Sequence, residues 1–156
     1  MIKKKDDLIW IAATSEEKGF DKTIVVGGPH PTTSFEEVLK DDNIDICVLG
    51  AYQVGKNGDL ANWATLDNKK PPGVGGAMDL AVGAKKIFVM MDHVTKDGKP
   101  KLMGTCTYPQ TGFGVVKTIF TDLAVIDVIN CTFVVRELAR GISLELLKSK
   151  TDAPLT

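Results

Sequence analysis

The chain has 156 residues, 44% of them hydrophobic and 25% charged, which is an ordinary composition for one soluble globular domain. A formal net charge of −1, with no basic cluster interleaved with aromatic residues, argues against nucleic-acid binding. No apolar run approaches the roughly 20 residues that a membrane span requires, so we expect no membrane insertion.

The N-terminus superficially resembles a secretory signal, because a lysine triplet precedes the apolar run 8–13. That run is shorter than the roughly 7–15 residues expected of a signal core, and Asp6 and Asp7 interrupt its basic flank. The sequence therefore predicts a cytoplasmic protein.

The three cysteines show no Cys-x-x-Cys spacing, and their odd number argues against a complete disulfide framework. Cys47 and Cys131 lie in apolar runs typical of strands. We therefore predict that both are buried, inert thiols.

Short apolar runs alternate with turn signals and helical patterns along the chain. The predicted strands are 24–26, 44–49, 87–91, 117–121, 124–128 and 132–138. The predicted helices are one opened by the capping-box pair Ser34 and Glu37 and ending near Lys40, then 78–84, and 143–150 with Ser143 near its N-cap. Together they predict an α/β fold, with a mostly parallel sheet, flanking helices and extra strands near the C-terminus.

The run Gly73-Val74-Gly75-Gly76-Ala77 leads directly into the second predicted helix. Small residues let backbone N–H groups approach a ligand, and a helix N-terminus favours an oxyanion or phosphate. The alternative is a glycine-rich turn that only solves a packing problem. Neither GxGxxG nor GxxxxGK[ST] is present, so no motif supports nucleotide binding.

Asn57-Gly58 favours a tight turn, which makes 53–54 and 60–63 the arms of a hairpin. On one interpretation, Asn62 caps or crosslinks a loop and Trp63 belongs to the core. On the other, the amide and the indole line a pocket near the glycine turn.

The two histidines do not support a His-based metal site, and we expect no metal. His93 follows the strand 87–91, where its neighbour Asp92 points to the opposite face. We therefore predict that His93 is satisfied by local hydrogen bonds rather than forming an acid–base pair with Asp92. His30, between two prolines, is predicted to lie in a surface loop.

Several blocks occur in a specific order, and they are more informative together than singly. They are Gly50-Ala51-Tyr52-Gln53-Val54, Gly58-Asp59-Leu60-Ala61-Asn62-Trp63, Gly75-Gly76-Ala77-Met78-Asp79-Leu80, Gly83-Ala84-Lys85-Lys86, Met91-Asp92-His93, Tyr108-Pro109 with Thr111-Gly112, and Thr121-Asp122-Leu123-Ala124-Val125. This series resembles the β subunit of family I CoA-transferases, which include succinyl-CoA:3-oxoacid and 3-oxoadipate CoA-transferases. The segments 46–49, 87–91 and 69–74 are more similar to the 3-oxoadipate branch.

The resemblance implies a CoA-transferase β-subunit-like domain over residues 20–151, between a non-matching segment 1–19 and a tail 152–156. Enzymes of this family use a glutamate to attack an acyl-CoA, pass through an acyl-glutamyl anhydride and a glutamyl-CoA thioester, and show ping-pong kinetics. The resemblance places Gly76 and Ala77 in the oxyanion and CoA-thioester site, and Asn62 in the substrate pocket. It implies coenzyme A as a substrate rather than a cofactor, and an α-type subunit as partner in a hetero-oligomer.

The family's nucleophile lies in a Ser-Glu-Asn-Gly motif, and no Glu-Asn-Gly occurs in this sequence. Glu16 and Glu17 lack that context, and 28–33 replaces the family's Pro-Gly-Ala-Ser-Phe-Phe stretch. We therefore assign no catalytic glutamate and expect a chain that is truncated at its N-terminus. It is either an enzyme component that receives the glutamate from elsewhere or an inactive chain that only binds or pairs. A third alternative is an unrelated binding module built on the glycine turn.

Overall fold

The structure, a computed structural model, describes residues 2–5, 8–14, 23–26, 44–66 and 77–156. The predicted helix at Ser34, the loop residue His30 and the glycine turn up to Gly76 lie outside these residues. The expectations for them stay predictions.

Described strands and helices follow most of the predicted pattern. The strands are β1 (Ile2–Lys5), β2 (Leu8–Thr14), β3 (Thr23–Val26), β4 (Ile44–Leu49), β5 (Gln53–Gly55), β6 (Leu60–Ala61), β7 (Ile87–Met90), β8 (Leu102–Met103), β9 (Val116–Phe120), β10 (Ala124–Ile129) and β11 (Thr132–Leu138). The helices are α1 (Ala77–Gly83) and α2 (Leu144–Ser149).

The main sheet has the strand order β1-β2-β3-β4-β7-β9-β10-β11. Its central pairs β3–β4, β4–β7 and β7–β9 are parallel. The outer pairs are antiparallel, and β9–β10 and β10–β11 are joined by short turns that parallel strands could not use. The predicted α/β fold, with a mostly parallel sheet, flanking helices and extra strands near the C-terminus, is confirmed, and its parallel pairs form the centre of the sheet.

One hydrophobic core holds this sheet and its helices together. Its largest fully buried side chains include Phe133, Leu80, Ile87, Ile119 and Leu147, which come from β11, α1, β7, β9 and α2. Burying such a side chain contributes about 1.5–3 kcal/mol, so both helices are held mainly by packing.

The end of the chain is fixed by its own contacts. Ser143 caps α2, since its side chain accepts a hydrogen bond from the Leu146 N–H at 3.2 Å, as predicted. Leu155 is buried and pairs with Phe133, and the Thr156 N–H donates to the Phe133 carbonyl at 3.0 Å. The last residues therefore add a short parallel bridge to β11.

The three cysteines lie in two kinds of environment. Cys47 is buried in β4, as predicted, and burial raises the pKa of its thiol to about 12. Burial, with the charge of Asp59, raises the pKa of Cys106 to about 11. The prediction for Cys131 is wrong. It is exposed in the tight β10–β11 turn, where Asn130 and Cys131 have φ of 50° and 57°, so its side chain does not follow the alternation of the strand.

His93 is fully buried and joins three parts of the fold. Its Nδ1 lies 3.1 Å from Thr121 Oγ1, and its Nε2 lies 2.9 Å from Thr151 Oγ1. The Thr151 hydroxyl also donates to the Leu147 carbonyl at 2.9 Å, and the Thr121 hydroxyl donates to the Ala124 carbonyl at 3.1 Å. His93 is thus hydrogen-bonded as predicted, but to residues far away in sequence.

The rate of thiol modification should distinguish the exposed Cys131 from the buried Cys47 and Cys106. We expect one thiol of the native chain to react rapidly with a disulfide reagent at about pH 8, because only an exposed, ionisable thiol is an effective nucleophile. Cys131→Ser should abolish this reaction, and unfolding should restore two reactive thiols in that variant. Rapid reaction of Cys47 in the native chain would contradict the assignment.

The His93 contacts predict a pH dependence of stability. Burial lowers the pKa of His93, Lys101 lowers it further, and Asp122 opposes them. The unfolded chain therefore binds the proton more readily, so this part of the stability is full above about pH 6.5 and decreases as the pH falls towards the folded-state pKa. Urea unfolding at about pH 7.5 and about pH 5.5 should show a larger loss in the native sequence than in His93→Gln. Equal losses would contradict the prediction.

Candidate functional site

The site is built on the small sheet β6-β5-β8, whose β5–β6 hairpin was predicted from its Asn57-Gly58 turn. Gly58 has φ of 89°, and its N–H donates to the Gly55 carbonyl at 2.8 Å. Asp59 is buried, and its carboxylate accepts hydrogen bonds from Asn57 Nδ2 at 2.8 Å and from the Gly114 N–H at 3.0 Å. The turn therefore binds the segment that contains Gly114.

A second crosslink joins β5 to the beginning of the same segment. Gln53 is buried, and its Oε1 accepts from the backbone N–H groups of Thr107 and Tyr108 at 2.8 and 3.1 Å. Its Nε2 donates to Thr107 Oγ1 at 3.0 Å. The segment 107–114, which we call the crosslinked loop, is therefore tied to the hairpin at both ends.

The middle of the crosslinked loop lies beside β6 and reaches Asn62. The Thr111 N–H donates to the Leu60 carbonyl at 2.6 Å, and the Leu60 N–H donates to the Gly112 carbonyl at 2.9 Å. Thr111 Oγ1 donates to Asn62 Oδ1 at 2.5 Å and accepts from the Asn62 N–H at 3.3 Å. Asn62 thus crosslinks a loop, as the first interpretation of this residue predicts. Trp63 beside it is half-buried.

The crosslinked loop also connects Asn62 to α1. A Cβ on Gly112, the residue after Thr111, would lie only 3.4 Å from the Ala81 Cβ, so the loop approaches the helix closely at Gly112. Ala81 lies about one helical turn after Ala77, the half-buried first residue of α1. The loop thus links Asn62 to the part of α1 that contains Ala81, while the position of Gly76 lies outside the described residues.

Two surface hollows lie along β7 and β9. One, at the carboxyl ends of these strands, is lined by Met90, Met91, Asp92, Phe120, Thr121 and Asp122. The other is lined by Lys85, Lys86, Phe88, Lys117, Thr118, Asp127, Val128 and Ile129. Neither contains Asn62 or Ala77. The segment 67–76, which directly precedes Ala77 and begins five residues after Asn62, is not among the described residues.

Two features of the crosslinked loop were not singled out from sequence. Thr111 was only part of a matching block, and nothing in its local pattern indicated a bond to Asn62. Gln110 Oε1 is a buried atom that has no hydrogen-bond partner in the described part of the chain. An unsatisfied buried acceptor of this kind is uncommon in folded proteins.

Within the described ranges, no three His, Cys, Asp or Glu side chains group in a way that could hold a metal ion. No helix in the same ranges is long and apolar enough to cross a membrane.

The sequence pattern of the coenzyme A transferase family matches residues 12–145. The chain belongs to this family. The resemblance to β subunits of family I CoA-transferases, which the ordered blocks indicated, is confirmed by the named relatives.

Two relatives show how far the likeness extends. The B subunit of the 3-oxoadipate CoA-transferase of Acinetobacter baylyi is 50% identical over 135 residues, covering 85% of this chain and 62% of the relative. The B subunit of the succinyl-CoA:3-ketoacid coenzyme A transferase of Helicobacter pylori J99 is 38% identical over 164 residues, covering 98% and 79%. The chain thus spans less than two thirds of the length of the Acinetobacter protein.

A solved structure shows the same fold at low identity. The acyl-CoA transferase YdiF of Escherichia coli O157:H7 matches with a TM-score of 0.64 and 20% identity, over 77% of this chain and 28% of that protein. This likeness supports the fold of the family.

Two glycines test how tightly the hairpin turn packs. A Cβ on Gly58 would lie 3.0 Å from the Val116 carbonyl oxygen, whereas one on Gly98, which has φ of 76°, meets nothing within 4 Å. Alanine costs about 1–2 kcal/mol at either position from backbone strain. We expect Gly58→Ala to lose about 1 kcal/mol more in urea unfolding, because only there must the backbone also move. Equal losses in the two variants would show that the turn is not closely packed.

Proposed function

We propose that this chain is a β-type component of a CoA-transferase that moves CoA between an acyl-CoA, such as succinyl-CoA or a 3-oxoacyl-CoA, and a 3-oxo acid such as 3-oxoadipate or acetoacetate. The observation that carries the proposal is the 50% identity to the B subunit of a 3-oxoadipate CoA-transferase. We also propose an α-type subunit as partner, because the relatives are named as B subunits. The cytoplasmic location is proposed from the sequence, in which the apolar run 8–13 is too short for a signal core.

The proposed chemistry is covalent transfer through a glutamate. Its carboxylate attacks the thioester carbonyl carbon and expels CoA thiolate, giving an acyl-glutamyl anhydride. The thiolate then attacks the glutamyl carbonyl and releases the acid, which leaves CoA on the glutamate as a thioester. The acceptor acid reverses these steps. Each attack places negative charge on a carbonyl oxygen, which must be stabilised.

In this scheme the backbone N–H groups of Gly76 and Ala77 stabilise that oxygen, and Asn62 lines the substrate pocket. Support comes from the hydrogen bond between Thr111 and Asn62 and from the close approach of Gly112, next to Thr111, to Ala81 of α1, the helix that begins at Ala77. A preorganised donor of this kind lowers the activation free energy by about 3 kcal/mol.

A second candidate is a chain that binds CoA thioesters or pairs with an α-type subunit without catalysing transfer. The observation that favours it is that the sequence contains no Glu-Asn-Gly. The two candidates share the same site and differ only in whether a glutamate reaches it.

Activity of the chain copurified with an α-type subunit tests both candidates. We expect 3-oxoadipyl-CoA and succinate to give succinyl-CoA, and mass spectrometry to identify the glutamate that carries CoA. Thioester binding, or copurification alone, without transfer would favour the second candidate, and a chain that neither copurifies with the subunit nor binds the thioester would contradict both.

Ala77→Pro tests the oxyanion assignment within that complex. Proline removes the N–H but is tolerated at the first position of a helix, so the fold should survive. We expect turnover to fall about 100-fold, while Ala77→Ser, which keeps the N–H, should retain most of it. Unchanged turnover in Ala77→Pro would refute the role of this donor.

A further inference from the structure

We propose that Thr111 is a positioning residue, which fixes the Asn62 carboxamide so that its NH2 group is the end available to a ligand. The proposal rests on the proposed function, in which Asn62 lines the substrate pocket. It adds that Asn62 acts as a hydrogen-bond donor, and that its ligand is an acceptor: the thioester carbonyl oxygen of the acyl-CoA.

The direction of the Thr111–Asn62 hydrogen bond determines which end of the Asn62 amide remains available to a ligand. Thr111 Oγ1 already accepts the backbone N–H of Asn62 at 3.3 Å, so its own proton is free to be donated. The side-chain contact is 2.5 Å, a distance found for O–H···O bonds and too short for a typical N–H···O bond. The hydroxyl therefore donates to Asn62 Oδ1, and Nδ2 is turned away from Thr111.

Thr111 is itself held firmly enough to impose this orientation. The residue is only 3% exposed, and its N–H donates to the Leu60 carbonyl at 2.6 Å. The next residue, Gly112, continues the pairing with Leu60 and packs close to Ala81. A rotation of the hydroxyl away from Asn62 would leave a buried polar group without a partner, which costs about 1–3 kcal/mol.

The opposite end of the carboxamide is uncommitted. Asn62 is half-buried, and its Nδ2 donates to no atom among the residues that the structure describes. An amide nitrogen can only donate, so a ligand at this position must supply an acceptor oxygen. In an acyl-CoA, the carbonyl oxygen at the reacting carbon is such an acceptor, and it gains charge during the reaction.

Binding to a matched pair of ligands tests this role in the complex with an α-type subunit. The ligands are acetoacetyl-CoA and S-(3-oxobutyl)-CoA, a thioether in which a CH2 group replaces the thioester carbonyl. Calorimetric titration would compare the native sequence with Thr111→Val, Thr111→Ser, Asn62→Ala and the Thr111→Val/Asn62→Ala double variant. Thr105→Val is the matched control, because Thr105 is exposed and its hydroxyl makes no hydrogen bond within the described ranges.

We expect Thr111→Val to weaken acetoacetyl-CoA binding about tenfold, as expected for one lost hydrogen bond, and to leave thioether binding unchanged. Thr111→Ser should retain affinity because it keeps the hydroxyl. The double variant should bind no more weakly than Asn62→Ala, since Thr111 acts through Asn62. If Thr111 were merely structural, Thr111→Val would weaken the binding of both ligands, or its loss of affinity would add fully to that of Asn62→Ala in the double variant. Either result would overturn the proposal.

The orientation of Asn62 is also measurable without a ligand. The side-chain amide signal of Asn62 in a 1H–15N spectrum should shift in Thr111→Val and remain nearly unchanged in Thr111→Ser and Thr105→Val. No shift in Thr111→Val would refute the positioning role even if binding is intact. If this shift is seen but the native complex binds neither ligand, the proposed function fails while the positioning contact stands.

Discussion

The candidate site depends on one constraint, which is that the buried or half-buried polar side chains of the β5–β6 hairpin and of Asn62 after it must find partners on the crosslinked loop. Gln53, Asp59 and Asn62 contact Thr107, Gly114 and Thr111 respectively. Breaking any of these bonds would leave a buried donor or acceptor unpaired, which costs more than a hydrogen bond contributes when it is made. The loop is therefore held in one position relative to α1 by polar complementarity as well as by apolar packing.

Much of the main sheet could be predicted because its strands are short apolar runs ended by turn residues. β4 and β11 were predicted with the observed ends, and β7, β9 and β10 to within one residue. Cys131 shows where this reasoning fails: the run 124–138 contains a tight turn whose positive φ values override the strand pattern. The main contacts of the site could not be predicted, since Thr111 and Asn62 are 49 residues apart and no local pattern encodes such a pairing.

The two sequence interpretations of Asn62, a structural crosslink and a pocket residue, are not exclusive. A carboxamide has an acceptor end and a donor end, and one bond to Thr111 occupies only the acceptor end. The crosslink removes the rotational freedom that an unattached Asn side chain would lose on binding. The Thr111–Asn62 hydrogen bond thus lowers the entropic cost of binding a ligand through the NH2 group of Asn62.

The hydrogen-bond donors and the nucleophilic glutamate are independent requirements of the proposed site. One chain is therefore compatible with both functional candidates, the active and the inactive. The donors proposed here depend on contacts between segments of this chain, chiefly the crosslinked loop and α1. The covalent step depends on a carboxylate that the sequence does not supply in the family's motif. Recognition of a thioester and its chemical conversion therefore make separate demands on the structure. A site that lacks the carboxylate can still bind the carbonyl through these donors, but without the attack no additional charge develops for them to stabilise.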